Sequence, residues 1–263
     1  MPATRRSTTV ASRSRVAGRR ARAPAEAPAP TDAQIHERIV AALHGQRLAP
    51  GTRLREDELG AVFGVSRTRI RQVLIRLASE RLVTLRPNAG ASVAEPTPDE
   101  AREVFGARRL IEPTLVAACI ARARATDFAR LGALIEQEER LREEGDRGAA
   151  IGLAGEFHLA IAELSGNATL ERFARELVSR TSLVLMRFGP ADLGEADHDD
   201  GGAGTAAVGC RCHEHRGLLA ALRLRDARAA ARLMDDHLRR LESQLRFDRG
   251  ESAAPSLAEL LKA

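Results

Sequence analysis

The chain has 263 residues, with 41 Lys plus Arg against 36 Asp plus Glu and a formal charge of +5, and nearly all its cations are arginine. That length leaves room for two compact domains, and three cysteines are too few for a disulfide framework, so a soluble protein of the reducing cytoplasm is expected. Aromatics are 3% of residues and all are Phe, which argues against a single-strand stacking platform, and no apolar run is long enough for a membrane span or a secretion signal.

Residues 1–30 carry Arg5, Arg6, Arg13, Arg15, Arg19, Arg20 and Arg22 ahead of an Ala-Pro tract. With so little apolar surface to offset ordering, this reads as a disordered basic arm. It suits a loose electrostatic hold on phosphates and, equally, a solvated tail. From Thr31 the character changes. Thr31 followed by Gln34 is a capping-box signal, and Ile35, Ile39, Val40 and Leu43 form an apolar stripe, so a helix starts here. After the Pro50-Gly51 turn, Leu54, Leu59, Val62 and Phe63 mark a second helix, which Gly64 breaks. Ser66 is a good N-cap for a third, whose buried face is Ile70, Val73, Leu74 and Leu77. Then the period falls to two. Residues 82–85 and 91–93, joined by a turn around Pro87, Asn88 and Gly90, read as a small β-hairpin. Three helices and a hairpin make a winged helix over 31–97.

Pro96 and Pro98 read as a short linker, and beyond them the pattern is helical, broken near Gly145, Gly166-Asn167, Gly189-Pro190 and Asp226. An antiparallel all-helical bundle is expected over 98–248, with a Gly- and Asp-rich loop at about 190–208 and a peripheral tail at 249–263. The fold class is therefore mainly α: an N-terminal winged helix-turn-helix with a small hairpin, then a helical bundle.

Winding the third helix at about 100° per residue sets Thr68, Gln72 and Ile75 opposite the apolar stripe, with Arg69, Arg71 and Arg76 on the flanks. Because the start of such a helix meets base edges in the major groove, Ser66, Arg67, Thr68, Arg69, Arg71 and Gln72 are candidate contacts to double-stranded DNA. Arg67 or Arg71 can fork onto guanine, while Ser66 and Thr68 suit phosphates. Arg86 and Asn88 on the wing can reach the adjacent backbone or minor groove.

The run Pro50-Gly51-Thr52-Arg53-Leu54-Arg55-Glu56-Asp57-Glu58-Leu59, followed by Gly64-Val65-Ser66-Arg67-Thr68-Arg69-Ile70-Arg71-Gln72-Val73-Leu74, resembles the winged-helix signature of the GntR family of regulators. Arg69 stands where that family usually has proline, and Arg55 in the first run joins the candidate DNA contacts. The helical part resembles the family's FadR-type branch in the stretches from Arg108 to Glu112, Glu156-Phe157-His158, Ser165-Gly166-Asn167, Glu214-His215 and His237-Leu238. The resemblance implies a ligand domain of six or seven helices, the FCD domain, and a homodimer on a palindromic operator.

His158, His215 and His237 sit on three different expected helices beside apolar residues, and three imidazoles converging in a bundle can hold a transition metal. In the domains the chain resembles, these positions are metal ligands, usually with an aspartate one turn before the first histidine. Here that position is Ala154, and Glu156, two residues before His158, faces nearly the opposite way. What is left suits a three-histidine zinc or nickel site open to water or to a ligand carboxylate. The alternative is three polar groups that hydrogen-bond an acidic effector. Arg108 is expected by resemblance to point into the same cavity and grip a carboxylate, or else to pair with Glu112 on the helix surface. Asn167 contacts effector or caps the next helix.

These features imply a transcription regulator, a repressor released from its operator by a small metabolite such as a carboxylate. The rival is a metal-dependent hydrolase with a DNA-binding appendage. It lacks a general base, since none of Glu156, Glu163 and Glu214 is placed to activate water, so no enzyme is expected. An architectural DNA binder would need no pocket at all.

Overall fold

A computed structural model describes residues 29–86, 90–190 and 211–247. Residues 1–28 of the expected arm, Asn88 of the wing, residues 191–208 of the expected loop and the 249–263 tail lie outside the described residues.

Helix α1 (Asp32–His44) begins at the expected capping box, in which Gln34 N–H donates to Thr31 Oγ1 and Thr31 N–H donates to Gln34 Oε1. Helix α2 (Glu56–Phe63) stops at Gly64, whose φ of 65° is the left-handed conformation that ends a helix and favours glycine. Helix α3 (Arg67–Ser79) is capped by Ser66, and its Ile70, Val73, Leu74 and Leu77 close the winged-helix core against Ile35, Ile39, Leu43, Leu59 and Phe63. The sheet corrects the sequence expectation. Strands β2 (Val83–Arg86) and β3 (Gly90–Val93) pair antiparallel with Val83 opposite Val93, and β1 (Arg53–Leu54) adds to the other side of β3, giving the order β1-β3-β2. Leu54 was expected at the start of the second helix. A two-residue strand is too short to show an alternation, and its pairing is a long-range property of the chain. Val62, one of the apolar residues that mark the second helix, lies in α2 but faces solvent.

The second unit is a bundle of α4 (Pro98–Arg122), α5 (Ala125–Glu143), α6 (Arg147–Leu164), α7 (Ala168–Phe188), α8 (Arg211–Arg223) and α9 (Ala227–Ser243). Pro98 opens α4 behind the Thr97 cap, where a missing N–H costs nothing, so it belongs to the helix and not to a linker. The breaks fall where glycine or a capping Asp predicted them, with one exception. Between α4 and α5 no Gly or Pro marks the turn; Arg225, from the distant α8–α9 connection, donates to the Ile120 and Ala123 carbonyls and ends α4 from outside. Helix α4 packs on α7 and α9, α5 on α6 and α8, around a core that includes Phe105, Leu131, Phe157, Val184, Leu222 and Met234. No helix among the described residues is long and apolar enough to cross a membrane.

The two units touch through α1, which packs on α6 and α7. Leu183 of α7 is buried within the winged-helix core cluster, and Met186 packs against it. At Gly148 a Cβ would stand 2.5 Å from the Gly45 carbonyl oxygen, so only glycine permits this approach of α6 to the end of α1. Beside it, His44 Nε2 and Ser179 Oγ are 2.8 Å apart. Burial, aided by the nearby Arg175 charge, lowers the His44 pKa to about 4, so the folded chain holds this ring neutral. The unfolded chain takes up that proton near pH 6.5, and stability is therefore full above pH 6.5 and lost as pH falls from there towards 4. At pH 5 the loss from His44 should be about 2 kcal/mol. Urea unfolding at pH 7 and pH 5 should show the native protein losing about that much more than a His44→Gln variant; equal losses would place the proton uptake elsewhere.

Candidate functional site

The exposed side of α3 carries the side chains expected to meet DNA. Ser66 is spent on its cap, and Arg67, Thr68, Arg71 and Gln72 lie in solvent along one side of the helix. Arg69 is only half exposed: its Nε donates to Asp32 at 2.8 Å and its Nη2 to the Pro30 carbonyl at 2.8 Å, tying the start of α1 to the recognition helix. Arg71 forks onto Glu56, with Nε and Nη2 at 2.7 and 2.8 Å from the two carboxylate oxygens. Arg55 is exposed near Asp57 and Glu58, and Arg86 is exposed at the end of β2.

Inside the bundle, His158 from α6, His215 from α8 and His237 from α9 converge, with one ligand atom from each within 4.8 Å of the others. Ring centroids are 4.8 to 5.4 Å apart, and all three residues are buried. Each imidazole meets a glutamate through Nδ1: His158 with Glu112 at 2.7 Å, His215 with Glu138 at 2.9 Å, and His237 with Glu214 at 2.7 Å. Each glutamate in turn pairs with an arginine, respectively Arg108, Arg142 and Arg240. Burial pushes the Glu112 carboxyl up, but Arg108 and His158 outweigh it and hold its pKa at about 2; burial is likewise overcome at Glu138 by His215 and Arg142, again to about 2. A carboxylate only accepts, so each Nδ1 donates, and in a neutral ring Nε2 is then the nitrogen that carries the lone pair. Burial, against the pull of Glu112 and with some help from Arg108, lowers the His158 pKa to about 4.

The imidazoles border a cavity of about 30 Å3, whose lining also includes Arg108, Ala154, Gly155, Thr181, Ser182 and Leu185. His215 Nε2 and Arg108 Nη2 are buried there without a hydrogen-bond partner. Burying a polar atom without a partner costs about 1–3 kcal/mol, so two such atoms at one cavity stand out in this bundle. Arg108 thus lines the cavity and also pairs with Glu112 at i+4, deep in the bundle and not on its surface. Asn167 is elsewhere: its Oδ1 accepts from Leu170 N–H and caps α7. Ala154 borders the cavity with no donor atom to offer, and Glu156 points to solvent.

The pairing of a winged helix with a helical bundle has counterparts among known proteins. Residues 31–93 match the bacterial regulatory proteins of the gntR family, and residues 103–240 match the FCD domain. The chain belongs to the GntR family, in its FCD-bearing form. This GntR regulator is 29% identical to the Uxu operon transcriptional regulator of Escherichia coli over 76% of its own length and 79% of the relative's. It is 32% identical to the Nta operon transcriptional regulator of Aminobacter aminovorans over 50% of its length and 62% of that protein. Among solved structures, E. coli McbR/YncC superposes with a TM-score of 0.68 at 24% identity, covering 80% of this chain and 93% of that one. A GntR-type regulator from Rhodococcus sp. RHA1 gives 0.67 at 22%, covering 81% and 96%, and both likenesses speak to the fold.

Sequence reasoning passed over Glu138 in this GntR regulator, and it weighed Glu112 and Glu214 without placing them behind the imidazoles. Glu138 follows Leu131 and Ile135 at helical spacing on the buried side of α5, and Glu112 follows Phe105 and Arg108 on α4 in the same way. A carboxylate on an apolar stripe was the available signal, because a buried charge needs a partner that the stripe itself does not supply.

Proposed function

We propose that this GntR-family regulator is a ligand-responsive repressor, working as a homodimer that leaves a palindromic operator when a small carboxylate fills the bundle cavity. The observation that carries this reading is the double face of α7. Its Val178, Thr181, Ser182 and Leu185 border the cavity, while its Ser179, Leu183 and Met186 engage the winged-helix unit. A ligand that prefers one placement of α7 thereby biases the placement of the recognition helix.

On the DNA side, Arg67, Arg71 and Gln72 would read base edges, with Thr68, Arg55 and the wing's Arg86 and Asn88 on the backbone and Ser66 capping the helix. Arg69, already engaged by Asp32 and Pro30, would position α3. In the bundle, His158, His215 and His237 would hold zinc or nickel through Nε2, with Glu112, Glu138 and Glu214 orienting the rings from behind. When bound, such an ion supplies an open Lewis-acidic position for an anion. Arg108 Nη2 would take the second oxygen of a carboxylate, and the small cavity restricts the effector to a compact molecule unless α7 moves. Asn167 keeps its capping role. All three glutamates near the histidines are engaged by an imidazole and an arginine, which favours sensing over hydrolysis because a general base must be able to take a proton.

Dimerisation would use α4 and α7. Leu110 on α4 is 79% exposed and Phe173 on α7 is 45% exposed, beside Ile111 and Leu170, which pack together on a small cluster linking these helices. Selection of bound duplexes from a random pool should return a palindrome. Arg71→Ala should then weaken operator binding by about 1–3 kcal/mol while leaving the bundle folded. A motif without two-fold symmetry would remove the homodimer, and no motif at all would remove the operator.

A further inference from the structure

Glu56 is an odd residue to find beside a DNA-reading helix. It opens α2, next to the exposed face of α3, where its charge opposes the approach of a polyanion. Yet its carboxylate holds Arg71 by both oxygens, at 2.7 and 2.8 Å, using the Nε–H and one Nη2–H of the guanidinium. A guanidinium has five N–H donors in a planar fork, so this clamp leaves the opposite edge, the Nη1 hydrogens and the second Nη2 hydrogen. No described residue takes that edge, and the Arg71 side chain is 64% exposed. Two N–H groups on one edge of a fixed plane match the O6 and N7 acceptors of guanine. The backbone of Glu56 is itself set by the start of α2, directly after β1, so the clamp is anchored in the fold and not in a loose side chain.

We propose that Glu56 is a specificity-determining positioning residue, which holds one edge of Arg71 so that the other reads a single guanine of the operator. An unclamped arginine would choose among guanine, neighbouring bases and phosphates, gaining affinity for any duplex and losing discrimination. The bland alternative is a surface ion pair that constrains nothing and matters little. The inference rests on the reading that Arg71 contacts a base, and the test separates the two.

Full-length native protein, Glu56→Ala, Arg71→Ala and the double variant would be titrated against the duplex selected from the random pool, against that duplex with each base pair changed in turn, and against an unrelated duplex. Arg71→Ala should flatten the preference at one base pair of each half-site. Glu56→Ala should flatten the same base pair by about 10-fold and leave the other positions intact. It should also bind the unrelated duplex more tightly, and the double variant should lose nothing further at that position. A Glu56→Ala protein that binds operator and unrelated DNA more tightly with all preferences unchanged would overturn the proposal. Loss of preference at every position would overturn it too, as a general disturbance of the domain. If Arg71→Ala flattens no position, the base-reading role of Arg71 fails first, and the clamp with it.

Discussion

A His215→Ala protein loaded with zinc and then dialysed should retain no metal, where the native protein should keep one equivalent per chain. Of the three imidazoles, His215 sits deepest, its Nδ1 committed to Glu138 and its Nε2 buried with no partner. Removing it leaves two protein ligands where a closed zinc site has four and an open one three, so affinity should fall by more than about 100-fold, beyond what loss of a supporting partner costs. Competition with a chromophoric chelator would measure the change. The native protein should also melt at higher temperature in zinc, since an ion that binds only the folded state stabilises it by mass action, and the variant should not respond. A native protein that retains no zinc or nickel would leave the histidines as hydrogen-bonding groups of the pocket.

Glu112→Ala should destabilise the protein by about 3–5 kcal/mol, because it strands a charge. The Arg108 and Glu112 side chains are 2% and 4% exposed, and without the carboxylate the guanidinium keeps only Thr181 as a partner. The size of the loss reflects the buried cation left behind more than the worth of the pair, so Arg108→Met added to Glu112→Ala should recover most of it. Urea unfolding at pH 7 is the measurement, at a pH where the contribution is complete. With its pKa held at about 2 against an ordinary value of 4.5, Glu112 lends stability above the higher value and loses it as pH falls through the lower. A loss under about 1 kcal/mol would mean that water reaches Arg108 in the folded state.

The parts of this chain that were legible in its sequence are those with local causes. Thr31 with Gln34, Ser66 ahead of Arg67, and Gly64 each specify a helix end by chemistry confined to a few residues, and the structure has those ends. The three histidines were legible as a cluster because resemblance named their positions and apolar neighbours placed them inside. What escaped depended on distant partners. Strand β1 exists because β3 lies beside it, and the end of α4 exists because Arg225, about 100 residues away, reaches its carbonyls. The Glu138–Arg142 pair has the spacing of an exposed helix pair and is buried because α8 brings His215 against it. The Arg71–Glu56 fork was out of sight for the same reason, since it joins two helices across a turn.

Leu183 makes the winged-helix unit an unsuitable module for exchange. A graft of residues 31–93 onto another regulator's sensor would leave behind the α7 side chain that completes the transplanted core, and would meet a new surface without the notch at Gly148. Either the core would gain a hole or the end of α1 would collide with a Cβ. A working chimera would have to bring Ser179, Leu183, Met186 and Gly148 along, so the compatible seam between two such regulators runs through the middle of the helical bundle and not through the Pro96 connection.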